Sequence, residues 1–163
     1  MMERSLDGQG RMMNKLFNST FENSLRILLL LNEYELPQTL DMIYVIDFMA
    51  LYGASLRITD HNLNGDNDYK FSVFASHREC VKEALKELVL NGTAQAVTYK
   101  GELSYIVTPD GEDFSASLES DYAAEYKRNV QAVLKVTNGE TERSLISAVN
   151  KLSAKSIREE AAQ

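Results

Sequence analysis

The stretch LVLNGTAQAVTYKGELSYIVTPDG, residues 88–111, decides the fold class of this 163-residue chain. A helix is predicted to end at Asn91-Gly92, because glycine readily takes the left-handed backbone that closes a helix. Two runs of good strand formers follow, from Ala94 to Tyr99 and from Leu103 to Val107, and they predict a β-hairpin. Thr108-Pro109 then fits a helix N-cap with proline in the first helical position. Helix, hairpin and helix in this order predict the second half of a winged helix-turn-helix domain.

Three helices are predicted before the hairpin. The first runs from about Thr20 to Tyr34 after the capping residue Ser19, and the second from about Leu40 to Leu56 after the capping residue Thr39. The third runs from Ser76 to Asn91 and carries apolar residues at spacings of three and four, which indicate a core-facing stripe. The stripe consists of Val81, Ala84, Leu85 and Leu88.

The chain after the hairpin is predicted to be helical. One segment runs from Asp113 to Thr137 with a break near Ser120, and a last helix runs from Thr141 to Leu152. The predicted fold class is therefore mainly α with a small β-hairpin (α+β): a winged helix-turn-helix domain with a C-terminal helical extension. The predicted divisions are a disordered segment over residues 1–13, a winged-helix domain over 14–112, a helical extension over 113–154 and a charged, frayed tail over 155–163.

The most apolar run is too short to cross a membrane. LRILLLL, from Leu25 to Leu31, falls far below the roughly 20 residues that a helical span needs. The polar residues before it do not have the layout of a secretory signal. We expect a soluble cytoplasmic protein that does not contact the membrane.

A polar loop, TDHNLNGDNDYK (residues 59–70), partly matches a calcium-binding loop. The first, third, fifth, sixth and ninth places are filled by Asp60, Asn62, Asn64, Gly65 and Asp68. The twelfth place, where a glutamate normally supplies two ligand oxygens, is Phe71. We expect a solvated loop without calcium.

The charge of the chain argues against nucleic-acid binding by this domain. The net charge is −7, whereas proteins that bind phosphates neutralise them with Lys and Arg. From Ser76 to Gly111, where such a domain would contact DNA, the sequence has four basic and five acidic residues. The basic residues are Arg78, Lys82, Lys86 and Lys100. Acids at positions 79, 83 and 87 flank them on the third helix, so this face is expected to be solvated or to contact protein.

No residue pattern predicts catalysis or a cofactor. His61 and His77 have no neighbours at the spacings that metal ligation or nucleophile activation requires. The single cysteine, Cys80, is expected to be a small core residue. Asp47 stands in a very apolar helix and therefore needs a hydrogen-bonding or ionic partner inside the protein. We expect no enzyme activity, no cofactor and no metal.

The second predicted helix is apolar on all sides, because its charged residues are only Asp41 and Asp47. A helix of this kind is buried on more than one side. It is either the central helix of a small domain or a helix with one side in contact with another chain.

Four stretches of this sequence, in this order, resemble the middle component of the bacterial ABC-three-component systems. They are FNSTFENSLRILLLLN (17–32), LDMIYVIDFMALYG (40–53), RECVKEALKELVLNG (78–92) and SDYAAEYKRNV (120–130). Phe17-Asn18-Ser19, Asp47 and the pair Ser120 and Tyr122 match the family motifs best, and the resemblance covers roughly residues 14–135. Thr20 stands where the family usually has proline, and the loop of residues 57–74 departs from the family pattern.

This resemblance implies a small winged-helix accessory subunit of a complex with an ABC or SMC-like ATPase and an effector, as in Lamassu-type anti-phage defence. There the ATPase senses foreign DNA, and the effector, often a nuclease, is held inactive until then. The expected partners are these two subunits in a hetero-oligomer, docked on helix two and the helical extension, with nucleic acid met only through the complex. Because aromatic residues dominate interface energetics, the expected contact residues are Tyr44, Asp47, Phe48, Tyr52, Tyr122 and Tyr126. A core position is the alternative for each of them.

Two other classes of function remain as alternatives. A winged-helix transcription regulator would bind DNA as a homodimer through Arg78, Lys82, Lys86 and Lys100. A small enzyme is disfavoured because the sequence has no paired titratable groups at catalytic spacing.

Overall fold

Six helices and three strands form the part of the protein that the computed structural model describes, residues 19–63 and 74–162. The helices are α1 (Thr20–Leu31), α2 (Leu40–Leu51), α3 (Phe74–Leu90), α4 (Pro109–Ala116), α5 (Asp121–Val136) and α6 (Glu142–Ala161). The strands are β1 (Gln38–Thr39), β2 (Ala94–Tyr99) and β3 (Glu102–Val107). The predicted class, mainly helical with a small amount of β-structure, is confirmed.

Five of the helices start on a side-chain hydroxyl that accepts a backbone N–H of the first turn. The hydroxyls belong to Ser19, Thr39, Thr108, Ser120 and Thr141, and each accepts from the amide three residues further on. Such contacts satisfy amides that have no partner within the helix. The predicted caps of α1, α2 and α4 are confirmed, and the predicted break near Ser120 is where α5 begins.

The β-structure is a three-stranded antiparallel sheet in the order β1-β3-β2. In the hairpin, Ala94 pairs with Val107 and Tyr99 pairs with Glu102. The turn consists of Lys100 (φ 51°) and Gly101 (φ 80°), the positive angles that suit a two-residue hairpin turn. The sequence predicted only the two strands of the hairpin, whereas the sheet has three strands. The third strand was missed because β1 has two residues, too few to show an alternating pattern.

Helix α2 lies at the centre of the domain. Every residue from 43 to 52 is buried, and α2 packs against α1, α3, α5 and α6. Phe48 has no exposed surface and packs against the rings of Tyr52 and Phe74, with ring centroids 4.9 and 4.7 Å away. Of the two alternatives for this helix, the central position is the one the structure shows.

The remaining helix ends differ from the sequence predictions for local reasons. α1 ends at Leu31, where the amides of Glu33 and Tyr34 bond to carbonyls three residues back instead of four. α2 ends at Leu51, and a turn follows in which the Gly53 carbonyl accepts from the amides of Leu56 and Ile58. α6 continues past the predicted end at Leu152, so residues 155–161 of the predicted tail are helical. This segment has no glycine or proline, and Ala, Lys, Arg and Glu all favour helix.

Cys80 is exposed, so the prediction of a core cysteine was wrong. The core stripe of α3 is confirmed, since its four residues are at most 1% exposed. Cys80 precedes Val81 by one residue, which turns its side chain by about 100° away from that stripe.

Two sequence predictions fall partly or wholly outside the described residues. The N-terminal segment 1–13 lies outside them, as do residues 64–70 of the polar loop and Phe71, the twelfth place of the calcium-loop pattern. Within the loop, the Asn62 side-chain oxygen accepts from the amides of Ala54 and Ser55 at 3.0 and 3.2 Å. Across the ranges that are described, no helix has both the length and the apolar character to span a bilayer.

Candidate functional site

A buried carboxylate, Asp47, connects four helices. Arg26 on α1 donates from Nε to Asp47 Oδ1 at 2.8 Å and from Nη2 to Oδ2 at 3.0 Å. Tyr126 on α5 donates its hydroxyl to Oδ1 at 2.6 Å, and His77 Nε2 on α3 lies 2.7 Å from Oδ2. Each carboxylate oxygen therefore has two partners. We call these four side chains the Asp47 network.

Neighbouring turns of the same helices support the network. The Arg26 Nη1 donates to the Asn23 side-chain oxygen, one turn earlier on α1, at 2.9 Å. On α5, one turn after Tyr126, the Asn129 amide donates to the Ala50 carbonyl of α2 at 3.1 Å. These contacts fix the orientation of the guanidinium and the position of α5 against α2.

The electrostatics of the network favour the ionised carboxylate. Burial raises the pKa of Asp47, but the charge of Arg26 and the contact with His77 outweigh burial and hold the pKa well below its ordinary value. Burial lowers the pKa of Arg26, and Asp47 more than restores it, so the guanidinium stays charged. Burial, and next the Asp47 charge, raise the pKa of the Tyr126 hydroxyl well above its ordinary value.

The network is closed to solvent except at one side. Asp47 and Tyr126 have no exposed surface, and Arg26 is 6% exposed. The His77 side chain, at 13%, is the most exposed of the four. Because all four hydrogen-bonding positions of the carboxylate are taken by protein groups, the arrangement holds helices together rather than presenting a free acid or base to a substrate.

The sequence predicted that Asp47 has a partner but did not identify the three partners. Arg26 was the detectable signal, since it is the one charged residue inside the run LRILLLL. A cation in such a run needs a buried anion. His77 gave no pattern at all, because it meets Asp47 across 30 residues of sequence.

Five of the six predicted partner-binding residues lie inside the domain. Tyr44, Asp47, Phe48, Tyr52 and Tyr126 are each at most 8% exposed, so in this structure their side chains contact the chain itself. Tyr122, at the start of α5, is 43% exposed and has surface to offer a partner. The apolar side chains of α2, which had suggested an interface, therefore pack in the core of the domain.

The four basic residues that would bind DNA in a winged-helix transcription regulator do not form one cationic surface. Arg78 Nε pairs with Asp41 Oδ1 at 2.8 Å. Lys82 and Lys86 are exposed on α3, where the side chains of the acids at positions 79, 83 and 87 are exposed as well. Lys100 lies at the hairpin turn, with its Nζ 5.4 Å from the centre of the Tyr99 ring.

A shallow groove of about 560 Å³ lies between the start of α2 and α6. Its lining residues are Asp41, Glu142, Arg143, Ile146, Ser147, Asn150, Lys151 and Ala154. At one end of the groove the Thr39 hydroxyl donates to the Glu142 carboxylate, which ties α6 to the first turn of α2.

The fold and the filled network define a small, mainly helical domain built around a central apolar helix and a buried ion pair. The model of the ABC-three component (ABC-3C) system Middle Component 2 family matches residues 16–159. The chain belongs to this family. No curated protein and no solved structure shows significant similarity to this chain.

Proposed function

We propose that this chain is a non-catalytic accessory subunit that links an SMC-like ABC ATPase to an effector subunit, through protein–protein contacts. Membership of the Middle Component 2 family carries this proposal, because a middle component belongs to a system of several components. The Asp47 network supports the non-catalytic part, since all four of its hydrogen-bonding positions are used internally.

The proposed domain type is a winged helix-turn-helix. The described elements follow in the order helix, strand, helix, helix, strand, strand, and the short β1 pairs with the outer hairpin strand β3. This is the element order of winged-helix domains. In the proposed role, α3 and the hairpin turn do not bind DNA. Arg78 is paired with Asp41, and exposed acids flank Lys82 and Lys86.

The proposed partner surface lies where α1 and α5 begin. Phe21 and Tyr122 are 62% and 43% exposed there. Arg26 and Glu22, both on α1, lie near enough to Tyr122 to affect the pKa of its hydroxyl, so the two helix ends are adjacent. Aromatic residues are typical anchors of protein interfaces.

Co-purification tests the partner surface. The tagged chain is expressed together with the ATPase and effector encoded beside it. Replacing both Phe21 and Tyr122 by alanine should reduce recovery of the partners by tenfold or more, which corresponds to about 1.4 kcal/mol. Replacing Leu103, which is 62% exposed on the hairpin, by alanine is the matched control and should leave recovery unchanged.

The proposed biological setting is Lamassu-type defence against phage or plasmids, with an effector nuclease. The sequence motifs at Phe17-Asn18-Ser19, Asp47 and Tyr122 support this setting through their resemblance to the middle components of such systems. Deleting this chain from the expressed gene cluster should abolish protection in a plaque assay. Protection that persists after the deletion would rule out an essential role for the subunit.

A winged-helix regulator of transcription is the second candidate, and the exposed Lys82 and Lys86 on α3 are the observation in its favour. In that case a duplex would bind to α3 and to the hairpin turn at Lys100. Removing the three lysines would then abolish duplex binding by the isolated protein.

A further inference from the structure

We propose that the outer face of α6 binds the phosphate backbone of nucleic acid through Arg143, Lys151, Lys155 and Arg158, which we call the basic stripe. Residues 143–158 contain four basic residues and no acidic one, in a chain where 24 acids outnumber 17 bases. This inference does not depend on the partner contacts proposed above. The outer face of α6 is separate from α3 and the hairpin turn, through which a winged-helix regulator would bind DNA.

The stripe lies on one side of α6, with about two turns between Arg143 and Lys151 that carry no basic residue. All four side chains are exposed, and at 3.6 residues per turn they fall within an arc of about 120°. Leu145 and Val149 lie on the opposite side and are buried in the core. From position 143 to 158 the helix rises by about 22 Å, at 1.5 Å per residue. The stripe is therefore long enough to contact several successive phosphates.

Two acids beside the stripe are already engaged, whereas a third, Glu159, follows Arg158 directly and is exposed. Glu142 accepts a hydrogen bond from the Thr39 hydroxyl, and Asp41 is paired with Arg78. Both acids line the groove beside Arg143 and Lys151. Among the residues that the structure describes, no carboxylate forms an ion pair with the stripe, so its charges remain available.

The surface between the stripe residues suits phosphate better than a folded protein partner. The exposed side chains there are small or polar: Ser144, Ser147, Ala148, Asn150 and Ala154. Serine and asparagine donate hydrogen bonds to phosphate oxygens, and small residues allow close approach of a backbone. Protein interfaces rely on buried aromatic or apolar anchors, and isolated surface charges add little to them. Leu152, which is 38% exposed, is on the core side with Leu145 and Val149.

Phosphate binding through counterion release has a quantitative signature. Each neutralised phosphate contributes about −0.9 to the slope of log K against log salt concentration for duplex DNA. Removing three cations of the stripe together should therefore reduce the magnitude of the slope by up to about 2.7. The single substitutions Lys151→Gln and Lys155→Gln should each reduce the magnitude of the slope by about 0.9.

The test is fluorescence anisotropy of the full chain with a labelled duplex at low salt and over a salt series. The variant K151Q/K155Q/R158Q should weaken binding by tenfold or more and lower the slope. The matched control K82Q/K86Q/K100Q removes the same number of charges from α3 and the hairpin turn, and should keep the wild-type affinity and slope. All six positions are exposed, and circular dichroism with thermal unfolding checks that both variants fold as the wild type does.

Three outcomes would overturn the proposal. The first is no duplex binding by the wild-type chain at the lowest salt concentration. The second is an equal loss of binding in the α3 control, which would favour the winged-helix regulator. The third is competition by polyglutamate as strong as that by unlabelled duplex at equal charge, which would identify an acidic polypeptide as the ligand. Single-stranded DNA and RNA probes that also lose binding in the stripe variant would support recognition of the phosphate backbone itself.

Discussion

Arg26 on α1 and Asp47 on α2 form a buried ion pair with two hydrogen bonds, of 2.8 and 3.0 Å. The pair joins two helices whose other core residues are mostly apolar. Taking both charges out of water costs several kcal/mol, and the cost is offset because Tyr126 and His77 complete the coordination of the carboxylate. Such a pair also penalises any misplacement of α1 against α2, since a shift would leave a buried charge without its partner.

Removing one partner of this pair should be strongly destabilising. Arg26→Met leaves a buried carboxylate without its counter-ion, and we expect a loss of about 3–5 kcal/mol in the free energy of unfolding. The double variant Arg26→Met/Asp47→Leu has no unpaired charge and should recover much of that loss. Urea denaturation of both variants measures the difference. A cost below about 1 kcal/mol for the single variant would show that the pair is not structurally important.

The ion pair should make stability depend on acid pH. The pKa of Asp47 is lowered in the folded state, while in the unfolded chain it is about 4. The stabilisation is therefore fully present above about pH 4 and is lost as the pH falls toward the lower, folded-state pKa. Asp47→Asn cannot titrate, so its stability deficit against wild type should be large at pH 7 and smaller at pH 3.

The matched control for this pH experiment is Asp41→Asn. Asp41 is paired with Arg78 at the surface, where the two side chains are 40% and 43% exposed. Its loss should cost no more than about 1 kcal/mol at pH 7. If the two variants had equal deficits at pH 7, burial of Asp47 would not be the source of the stabilisation.

The hydroxyl of Tyr126 should contribute measurably through its hydrogen bond to Asp47. Tyr126→Phe keeps the buried ring and removes a 2.6 Å hydrogen bond to a charged acceptor, which should cost about 1.5–3 kcal/mol. Tyr44→Phe is the control, because the Tyr44 ring stacks on Phe74 and phenylalanine preserves the stack. Thermal unfolding should show a clear decrease in Tm for Tyr126→Phe and little change for Tyr44→Phe; the reverse order would contradict the network.

Much of the described architecture could be predicted from local sequence. Ser19, Thr39 and Thr108 identified three helix starts because capping depends on residues only three apart, and the α3 stripe followed from its spacing. The partners of Asp47 could not be predicted, since Arg26, His77 and Tyr126 lie 21, 30 and 79 residues away in sequence. The aromatic residues of α2 looked equally suitable for a core and for an interface, and only packing distinguishes the two.

Gly111 should be intolerant of any side chain. A Cβ at this position would lie 2.0 Å from the Thr93 carbonyl oxygen, where α4 begins beside the loop that precedes β2. Gly111→Ala must therefore displace backbone, and we expect a loss of about 1–3 kcal/mol from overpacking. Asp113→Ala, at an exposed position of the same helix, should change stability by less than about 0.5 kcal/mol. Chemical denaturation of the two variants checks this, and equal stabilities would mean that α4 is free to move away from Thr93.

The proposed function requires this Middle Component 2 chain to bind the other components of its system. The most direct measurement is affinity purification of the tagged chain co-expressed with the neighbouring ATPase and effector, followed by size-exclusion chromatography with mass determination. We expect the three proteins to elute together as one complex. Elution of the chain alone, as a monomer or a homodimer, would contradict it.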